Sequence, residues 1–143
     1  MPLLHFVYTL RTLKDDATIG QRIAFHRRRR KLLGRELAKL AHIGRTTLIR
    51  YETDQLECPY DAILRIGKVL DVDKRLLMDD YLQFIDYPYY HFIKQRRKEL
   101  GLRQIDLGNQ IGINLKTIQK WENHHNVISR DSYQKLKEIH FIP

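Results

Sequence analysis

The sequence predicts an all-α protein built from two consecutive helical units, and three observations indicate this fold class. The segment HIGRTTLIRYET (42–53) aligns without a gap with GINLKTIQKWEN (112–123), 70 residues further along the chain. Apolar residues recur at helical spacing in both halves, and no β-rich segment follows residue 12. Two basic segments, 1–70 and 87–143, flank an acidic one at 71–86. A pattern that recurs at this distance is typical of a tandem arrangement.

The start of the first helix is marked by a capping box at residues 18–21, TIGQ. Ile19 and Ile23 define the buried face of this helix, which continues through AFHRRRRKL (24–32). The second helix takes its apolar stripe from Leu37, Leu40 and Ala41 at i, i+3, i+4 spacing.

Three more helices are predicted in the first half of the chain. Gly44 interrupts the pattern before RTTLIRYE (45–52) forms the third helix. Pro59 marks a turn before the fourth helix, and DKRLLMDDYLQFI (73–85) forms the fifth. The apolar residues that the fourth helix buries are Ile63, Ile66 and Leu70.

The second half repeats this order in a shorter form after Pro88, which separates helices because proline lacks a backbone N–H. Four helices are predicted: 89–100, stopped by Gly101; 103–111, ended by Gly112; 115–123, capped by Asn114; and 129–141. We therefore expect an N-terminal arm at 1–17, a first domain at 18–86 and a second, shorter domain at 87–143.

Composition limits the classes of function. The chain has 143 residues, a formal net charge of +9 and a pI of about 9.8, which suits a polyanionic partner such as DNA or an acidic membrane surface. A membrane-bound helix would need a broad apolar face, but the helix cores already use those faces. The single cysteine, Cys58, excludes an internal disulfide and favours a cytoplasmic setting. The apolar start, MPLLHFVYTL, lacks the features of a signal peptide and is interpreted as an extended arm or edge strand.

Both halves resemble the helix-turn-helix of the Cro/C1 (XRE) type found in bacterial and phage repressors. The resemblance covers roughly Thr18 to Phe84 and Tyr89 to Phe141, which is most of the chain. In the first half it is carried by Arg27, Leu32, Leu37-Ala38, Ile43, Arg45, Thr47-Leu48 and Tyr51-Glu52. In the second half it is carried by Arg97, Gly101-Leu102, Gln104, Leu107, Gly112-Ile113, Thr117-Ile118 and Trp121-Glu122-Asn123.

The resemblance implies two tandem lambda-repressor-like domains of four or five helices, each placing its third helix in the major groove of DNA. Ile43 and Ile113 would then lie in the core beneath the turn. The implied DNA-reading residues are Arg45, Thr46, Ile49 and Arg50 in the first domain and Leu115, Lys116, Gln119 and Lys120 in the second. Gln104 would donate near a phosphate. The family also implies structural ion pairs between Arg27 and Glu52 and between Arg97 and Glu122.

The two halves depart from the family pattern at different positions. The first half has Gly34 where the second has Gln104, and it has His42 where the second has the turn glycine Gly112. Glycine adopts a positive φ at little cost, so His42 is expected to be strained. Gly108 stands where the family prefers alanine. The first half therefore has the stronger charge, and the second has the closer match to the motif.

Other residues could have either a functional or a structural role. Within HRRRRK (26–31), Arg28 or Arg30 would approach a phosphate, although only part of the run can face one duplex. Trp121 is expected in the core, Cys58 as an inert thiol, and His124-His125 in a loop near phosphates without a metal. The aromatic residues of the connector are expected to pack between the domains rather than to stack on single-stranded bases: Tyr81, Phe84, Tyr87, Tyr89, Tyr90 and Phe92.

These observations favour a sequence-specific regulator that binds double-stranded DNA, in particular a repressor of bacterial, phage or mobile-element type. Two domains in one chain could grip two half-sites roughly 34 Å apart, or one could bind DNA while the other forms a homodimer. The alternative is an antitoxin or a DNA-processing accessory protein with a protein partner, in which the N-terminal strand could pair with that partner's sheet. We expect no enzyme activity, no cofactor and no metal, because no phosphate loop, ligand cluster or acid–base pair is present.

Overall fold

The computed structural model describes Leu13 and residues 16–143, so nearly all of the predicted N-terminal arm lies outside the described residues. Over this range the chain is helical and has no strand, which confirms the all-α fold class. It divides into two compact units, the first ending at Asp79 and the second comprising Asp80–Pro143. The first unit contains α1 (Ile19–Arg29), α2 (Gly34–Leu40), α3 (Arg45–Glu52), α4 (Tyr60–Leu70) and the 3₁₀ helix η1 (Lys74–Leu77). The second contains α5 (Asp80–Asp86), α6 (Tyr89–Glu99), α7 (Gln104–Ile111), α8 (Leu115–Glu122) and α9 (Arg130–Glu138).

The core of the first unit lies between α1, α3 and the elements that pack on them. The predicted capping box starts α1, because the Thr18 hydroxyl accepts from the Gln21 N–H and the Gln21 side chain accepts from the Thr18 N–H. Helix α3 packs against both α1 and α2, and α4 and η1 close the core. The largest fully buried side chains of this unit are Ile23, Leu37, Leu48, Ile63, Ile66, Leu70, Leu77 and Met78.

The predicted stripe of α2 is wrong at one position. Leu40 is 57% exposed, whereas Leu37, Ala38 and Ala41 are buried. At 100° per residue, the buried arc is centred between Leu37 and Ala38 and passes through Ala41, so Leu40 lies on its outer side. The i, i+3 spacing of Leu37 and Leu40 also fits a helix rotated so that both side chains face the core, and this was the orientation predicted from the sequence.

The predicted fifth helix, 73–85, is also wrong, because the structure breaks it into two elements. The Asp73 carboxylate caps η1 by accepting from the Arg75 N–H. Met78 then adopts an extended conformation (φ −90°, ψ 139°) and is fully buried, as is Leu77. Extended backbone at Met78 cannot continue a helix, so α5 begins anew at Asp80 and belongs to the second unit. The division of the chain therefore falls after Asp79, earlier than the expected boundary after residue 86.

The second unit repeats the helix order of the first in α6–α9, and Pro88, Gly101, Gly112 and Asn114 mark helix ends as predicted. Pro88 precedes α6, and Gly101 and Gly112 have positive φ values of 68° at the ends of α6 and α7. The Asn114 side chain caps α8 by accepting from the Lys116 N–H at 2.8 Å, and the Ser129 hydroxyl caps α9. The buried core consists of Tyr89, Ile93, Leu107, Ile111, Ile118, Trp121, Ile128, Tyr133, Leu136, Phe141 and Ile142.

The aromatic residues of the connector pack within the second unit. The Phe84 ring lies 5.6 Å from that of Tyr89, 6.0 Å from that of Phe92 and 5.3 Å from that of Tyr133, measured between centroids. The Tyr81 hydroxyl donates to the Ile128 carbonyl at 2.6 Å. The sequence predicted packing between the domains, whereas these contacts lie within one unit; the Tyr87 side chain is exposed. These rings thus help to hold α5 onto the core of the second unit.

No helix among the described residues is long and apolar enough to cross a bilayer.

Candidate nucleic-acid interface

The pairs α2–α3 and α7–α8 are built on the same backbone frame. Helices α3 and α8 each have eight residues and begin 70 positions apart, at Arg45 and Leu115. In the first turn, the Ile43 N–H donates to the Ala38 carbonyl at 2.9 Å; in the second, the Ile113 N–H donates to the Gly108 carbonyl at 2.8 Å. The local hydrogen bonding that sets the angle between the helices is therefore present twice.

Both turns contain a residue in the left-handed backbone conformation, but that residue differs between them. His42 has a φ of 55° and Gly112 a φ of 68°, both in the left-handed region that favours glycine. In the first unit, the Arg65 guanidinium donates to the carbonyls of Ala41 at 3.1 Å and His42 at 2.9 Å. Arg65 therefore supports the strained turn from α4. Sequence reasoning missed this role, although the pairing of Arg65 with Asp61 at i, i+4 marks it as a fixed side chain.

Gly108 is required by close approach in the second turn. A Cβ atom added at Gly108 would lie 2.5 Å from the carbonyl oxygen of Ile113, nearer than carbon and oxygen can pack. Ala38 occupies the matching position in the first unit and is accommodated there. The departure from the family's preferred alanine therefore has a steric cause in this chain.

Each third helix is held down by two buried side chains. Leu48 and Tyr51 anchor α3, and Ile118 and Trp121 anchor α8. Trp121 is thus a core residue, which confirms the interpretation made from the sequence. Ile43 and Ile113 were expected in the core beneath the turns, but each is only half-buried.

The first and third helices of each unit are joined by the predicted ion pairs. Arg27 Nε lies 2.6 Å from Glu52 Oε1, and Arg97 Nη2 lies 2.8 Å from Glu122 Oε1. In both pairs a second guanidinium nitrogen donates to the second carboxylate oxygen, which makes the contact bidentate. A third nitrogen donates to a carbonyl just beyond the first helix, that of Leu32 or Leu102. Each arginine therefore fixes the first helix, the following loop and the end of the third helix together.

Gln104 takes part in this network. Its Nε2 atom donates to Glu122 Oε2 at 3.3 Å, so the amide expected near a phosphate is hydrogen-bonded within the protein. Gly34, at the matching position, supplies no such donor. The Glu52 side chain is accordingly 13% exposed and that of Glu122 only 3%. The second unit thus has the more completely buried ion pair.

The DNA-reading residues implied by the sequence all lie on the exposed sides of α3 and α8. The described part of the chain offers no hydrogen-bond or ion-pair partner to any of their polar side chains. We call these eight residues the outward positions; they are Arg45, Thr46, Ile49 and Arg50 on α3, and Leu115, Lys116, Gln119 and Lys120 on α8. Their side chains are free to meet a ligand.

The arginine run at the end of α1 divides into residues with different environments. Arg30 Nη2 lies 3.4 Å from the Asp71 carboxylate and donates to the Asp71 carbonyl at 3.2 Å. The Arg28 side chain is exposed and has no partner among the described residues. Sequence reasoning did not single out Arg35 and Lys39, which are exposed at i, i+4 on α2 and extend the basic face of the first unit. Their spacing is the signal that could have identified them.

The remaining candidate residues have structural environments. His124 (φ 57°) follows α8, and its ring lies 4.4 Å from that of Tyr90; both His124 and His125 are exposed. No group of three or more possible metal ligands occurs within the described ranges. Cys58 is buried, and burial raises the pKa of its thiol to about 12, so the thiol stays protonated and unreactive near neutral pH.

The helices around α7 and α8 match a known family. Residues 93–139, which run from α6 to α9, match the sequence model of the helix-turn-helix family. The match covers less than half of the chain and supports assignment of this segment to the XRE type, a class of DNA-binding transcription regulators. No curated protein and no solved structure is significantly similar to the chain.

Proposed function

We propose that this protein is a sequence-specific transcriptional regulator that binds double-stranded DNA through both of its units and acts as a repressor. The observation that carries the proposal is the exposed, unpartnered face of α8 within the helix-turn-helix match at residues 93–139. A helix-turn-helix places the N-terminal part of its third helix against base edges in the major groove. The resemblance to bacterial and phage repressors supports the repressor role and an origin in bacteria or mobile elements.

The participation of the first unit is supported by its repetition of the same frame. It has the turn hydrogen bond, the bidentate arginine–glutamate pair and the exposed third helix, each displaced by 70 residues. It also has more unpaired positive charge. Arg35 and Lys39 are cations in the first unit, whereas the matching residues in the second, Ile105 and Asn109, are uncharged; Arg28 corresponds to another cation, Lys98.

The two kinds of contact contribute differently to binding. Cations near phosphates release counterions, so they supply affinity that falls as salt concentration rises. Side chains at base edges supply the preference for one sequence over another. We therefore assign Arg28, Arg35 and Lys39 to phosphate contact and the outward positions mainly to base contact.

The proposal is tested by fluorescence anisotropy with labelled DNA fragments from upstream of the protein's own gene. Arg45→Ala/Arg50→Ala and Lys116→Ala/Lys120→Ala should each abolish the preference for a specific fragment. The matched variant Arg35→Ala/Lys39→Ala should weaken binding to all fragments alike and lower the slope of log K against log salt by up to roughly two. If no fragment is preferred over unrelated DNA and neither reader variant matters, the DNA-binding proposal fails.

A second candidate function, association with a protein partner, is favoured by an apolar surface on the second unit. Leu100 and Ile105 are 46% and 43% exposed, and the matching positions in the first unit are Arg30 and Arg35. An antitoxin, an accessory protein in DNA processing or a homodimer could each use such a surface. Analytical ultracentrifugation of the wild type and of Leu100→Arg/Ile105→Arg tests the homodimer: self-association that the substitutions abolish supports it, and a monomer at all concentrations contradicts it.

A further inference from the structure

The outward positions of the two units occupy equivalent places. Every residue from 42 to 51 has the same exposure class as the residue 70 positions later, from the turn through to the buried aromatic anchors, Tyr51 and Trp121. The helix bounds, turn hydrogen bonds and ion pairs also correspond. A difference in chemistry between matched outward positions is therefore not a consequence of different placement on the fold.

That chemistry differs at all four matched pairs. Arg45 corresponds to Leu115, so a cation is replaced by an apolar side chain. Thr46 corresponds to Lys116, so a hydroxyl is replaced by an ammonium group that can only donate. Ile49 corresponds to Gln119, so an apolar side chain is replaced by an amide that can donate and accept. Arg50 corresponds to Lys120, which keeps the charge but loses the planar guanidinium.

The two faces consequently suit different bases. Arginine forms two hydrogen bonds with O6 and N7 of guanine, so Arg45 and Arg50 favour a guanine-containing half-site. Glutamine pairs in the same bidentate manner with N6 and N7 of adenine, and an apolar side chain packs on the methyl group of thymine. Gln119 and Leu115 therefore favour a half-site rich in A·T pairs, with Lys116 and Lys120 beside it.

We infer that the operator of this protein is non-palindromic and consists of two unlike half-sites, a guanine-containing one bound by α3 and an A·T-rich one bound by α8. This inference rests on the proposed function and adds the class of DNA that it requires. A repressor that binds as a symmetric dimer presents two identical recognition helices. It reads an inverted repeat, because the operator has the same two-fold symmetry as the dimer. This chain carries two unlike readers covalently, so one polypeptide defines one composite site.

The experiment begins with selection of the full chain on a random duplex library, followed by binding measurements on three duplexes. The first is the selected composite site, and the other two are symmetrised versions that contain one half-site twice. The wild type should prefer the composite site over each symmetrised duplex by roughly 5- to 150-fold, the range expected when one well-formed base contact is lost.

A reader exchange supplies the matched variant. Leu115→Arg/Lys116→Thr/Gln119→Ile/Lys120→Arg gives α8 the outward residues of α3, and the four positions are exposed, so the core is unchanged. This variant should now prefer the duplex that contains the guanine half-site twice. The reciprocal exchange, Arg45→Leu/Thr46→Lys/Ile49→Gln/Arg50→Lys, should prefer the duplex with the A·T-rich half-site twice. Circular dichroism verifies that both variants fold.

The outcomes separate the inference from the proposed function. Selection of a palindrome, or equal wild-type affinity for the composite and a symmetrised duplex, overturns the inference but leaves a DNA-binding regulator. The measurements on wild-type protein decide this point even if an exchange variant does not fold. Failure to enrich any duplex above the starting library overturns the proposed function, and the inference falls with it.

Discussion

At the scale of single residues, the buried pair of Arg97 and Glu122 combines two charges with almost no access to water. Only 11% of the Arg97 side chain and 3% of the Glu122 side chain are exposed. Arg97→Ala leaves the carboxylate buried without its cation, which typically costs about 3–5 kcal/mol of the free energy of unfolding. We expect a loss of that size in urea unfolding followed by circular dichroism.

Two further variants serve as controls for Arg97→Ala. Lys98→Ala removes the neighbouring exposed cation and should change the free energy of unfolding by less than about 0.5 kcal/mol. Arg97→Met/Glu122→Met removes both charges and should recover most of the loss, because the stranded carboxylate is then absent. A cost of Arg97→Ala similar to that of Lys98→Ala would contradict the structural role of the pair.

We expect His26 to make the stability of the first unit depend on pH. It is buried in α1, and its Nε2 atom has no hydrogen-bond partner in the part of the chain that the structure describes. Burial, followed by the positive charges of Arg29 and Arg22, lowers the pKa of His26 below the ordinary value of 6.5. The unfolded chain therefore takes up this proton at a higher pH than the folded one.

The resulting stability is fully present above pH 6.5 and is lost as the pH falls toward the lowered pKa of the folded state. His26→Phe should make the free energy of unfolding less dependent on pH between about 7.5 and 5, since it removes the titrating group. Phe25→Leu, which alters the adjacent ring contact without removing a titrating group, should retain the wild-type dependence. The same slope in His26→Phe as in the wild type would refute this account.

Some residue contacts could be predicted from the sequence, and others could not. The two ion pairs were placed correctly because the family resemblance fixes their positions, and the hydrogen bond of Gln104 to Glu122 was missed because it depends on side-chain direction. Leu40 was placed in the core because its i, i+3 spacing from Leu37 is compatible with two helix rotations. The packing of α2 against α3 and α4 selects one of them.

At the scale of elements, the turn between α7 and α8 has no room for a side chain at Gly108. Gly108→Ala would place Cβ 2.5 Å from a backbone oxygen that cannot rotate away, so the turn must shift. We expect a loss of about 1–3 kcal/mol in the free energy of unfolding, the usual cost of overpacking. Thermal and urea unfolding measure this loss.

Gly34→Ala is the matched control for this substitution. A Cβ atom at Gly34 meets nothing within 4 Å, and φ is not in the left-handed region, so alanine should be neutral or stabilise by up to about 1 kcal/mol. Equal effects of the two substitutions would show that the close approach at Gly108 is not a constraint on this turn.

Caps and breaks were the most predictable features of the elements. Thr18, Pro88, Gly112 and Asn114 act locally, and each marks a helix end where the sequence indicated one. The break at Met78 could not be predicted in this way, since no proline or glycine interrupts the segment 73–85. Met78 is extended because burying its side chain in the first unit outweighs local helix preference, which is a tertiary effect.

At the scale of the whole molecule, the duplication of one frame was visible in the sequence because its spacing is regular. The alignment of residues 42–53 with 112–123 predicted matching helices, and the structure has them. The sequence did not reveal how each frame is stabilised. Arg65 supports the His42 turn in the first unit, whereas the second unit has Gly112 at its turn and an additional hydrogen bond from Gln104 to Glu122. The two units therefore reach the same arrangement by different side-chain contacts.

The central claim is that α3 and α8 contact the same duplex, and hydroxyl-radical footprinting of the full chain on its selected DNA tests it most directly. The account predicts two separate protected segments. Arg45→Ala/Arg50→Ala should remove protection of one segment first, and Lys116→Ala/Lys120→Ala that of the other. A single protected segment that only one of these variants affects would contradict the claim and assign DNA binding to one unit alone.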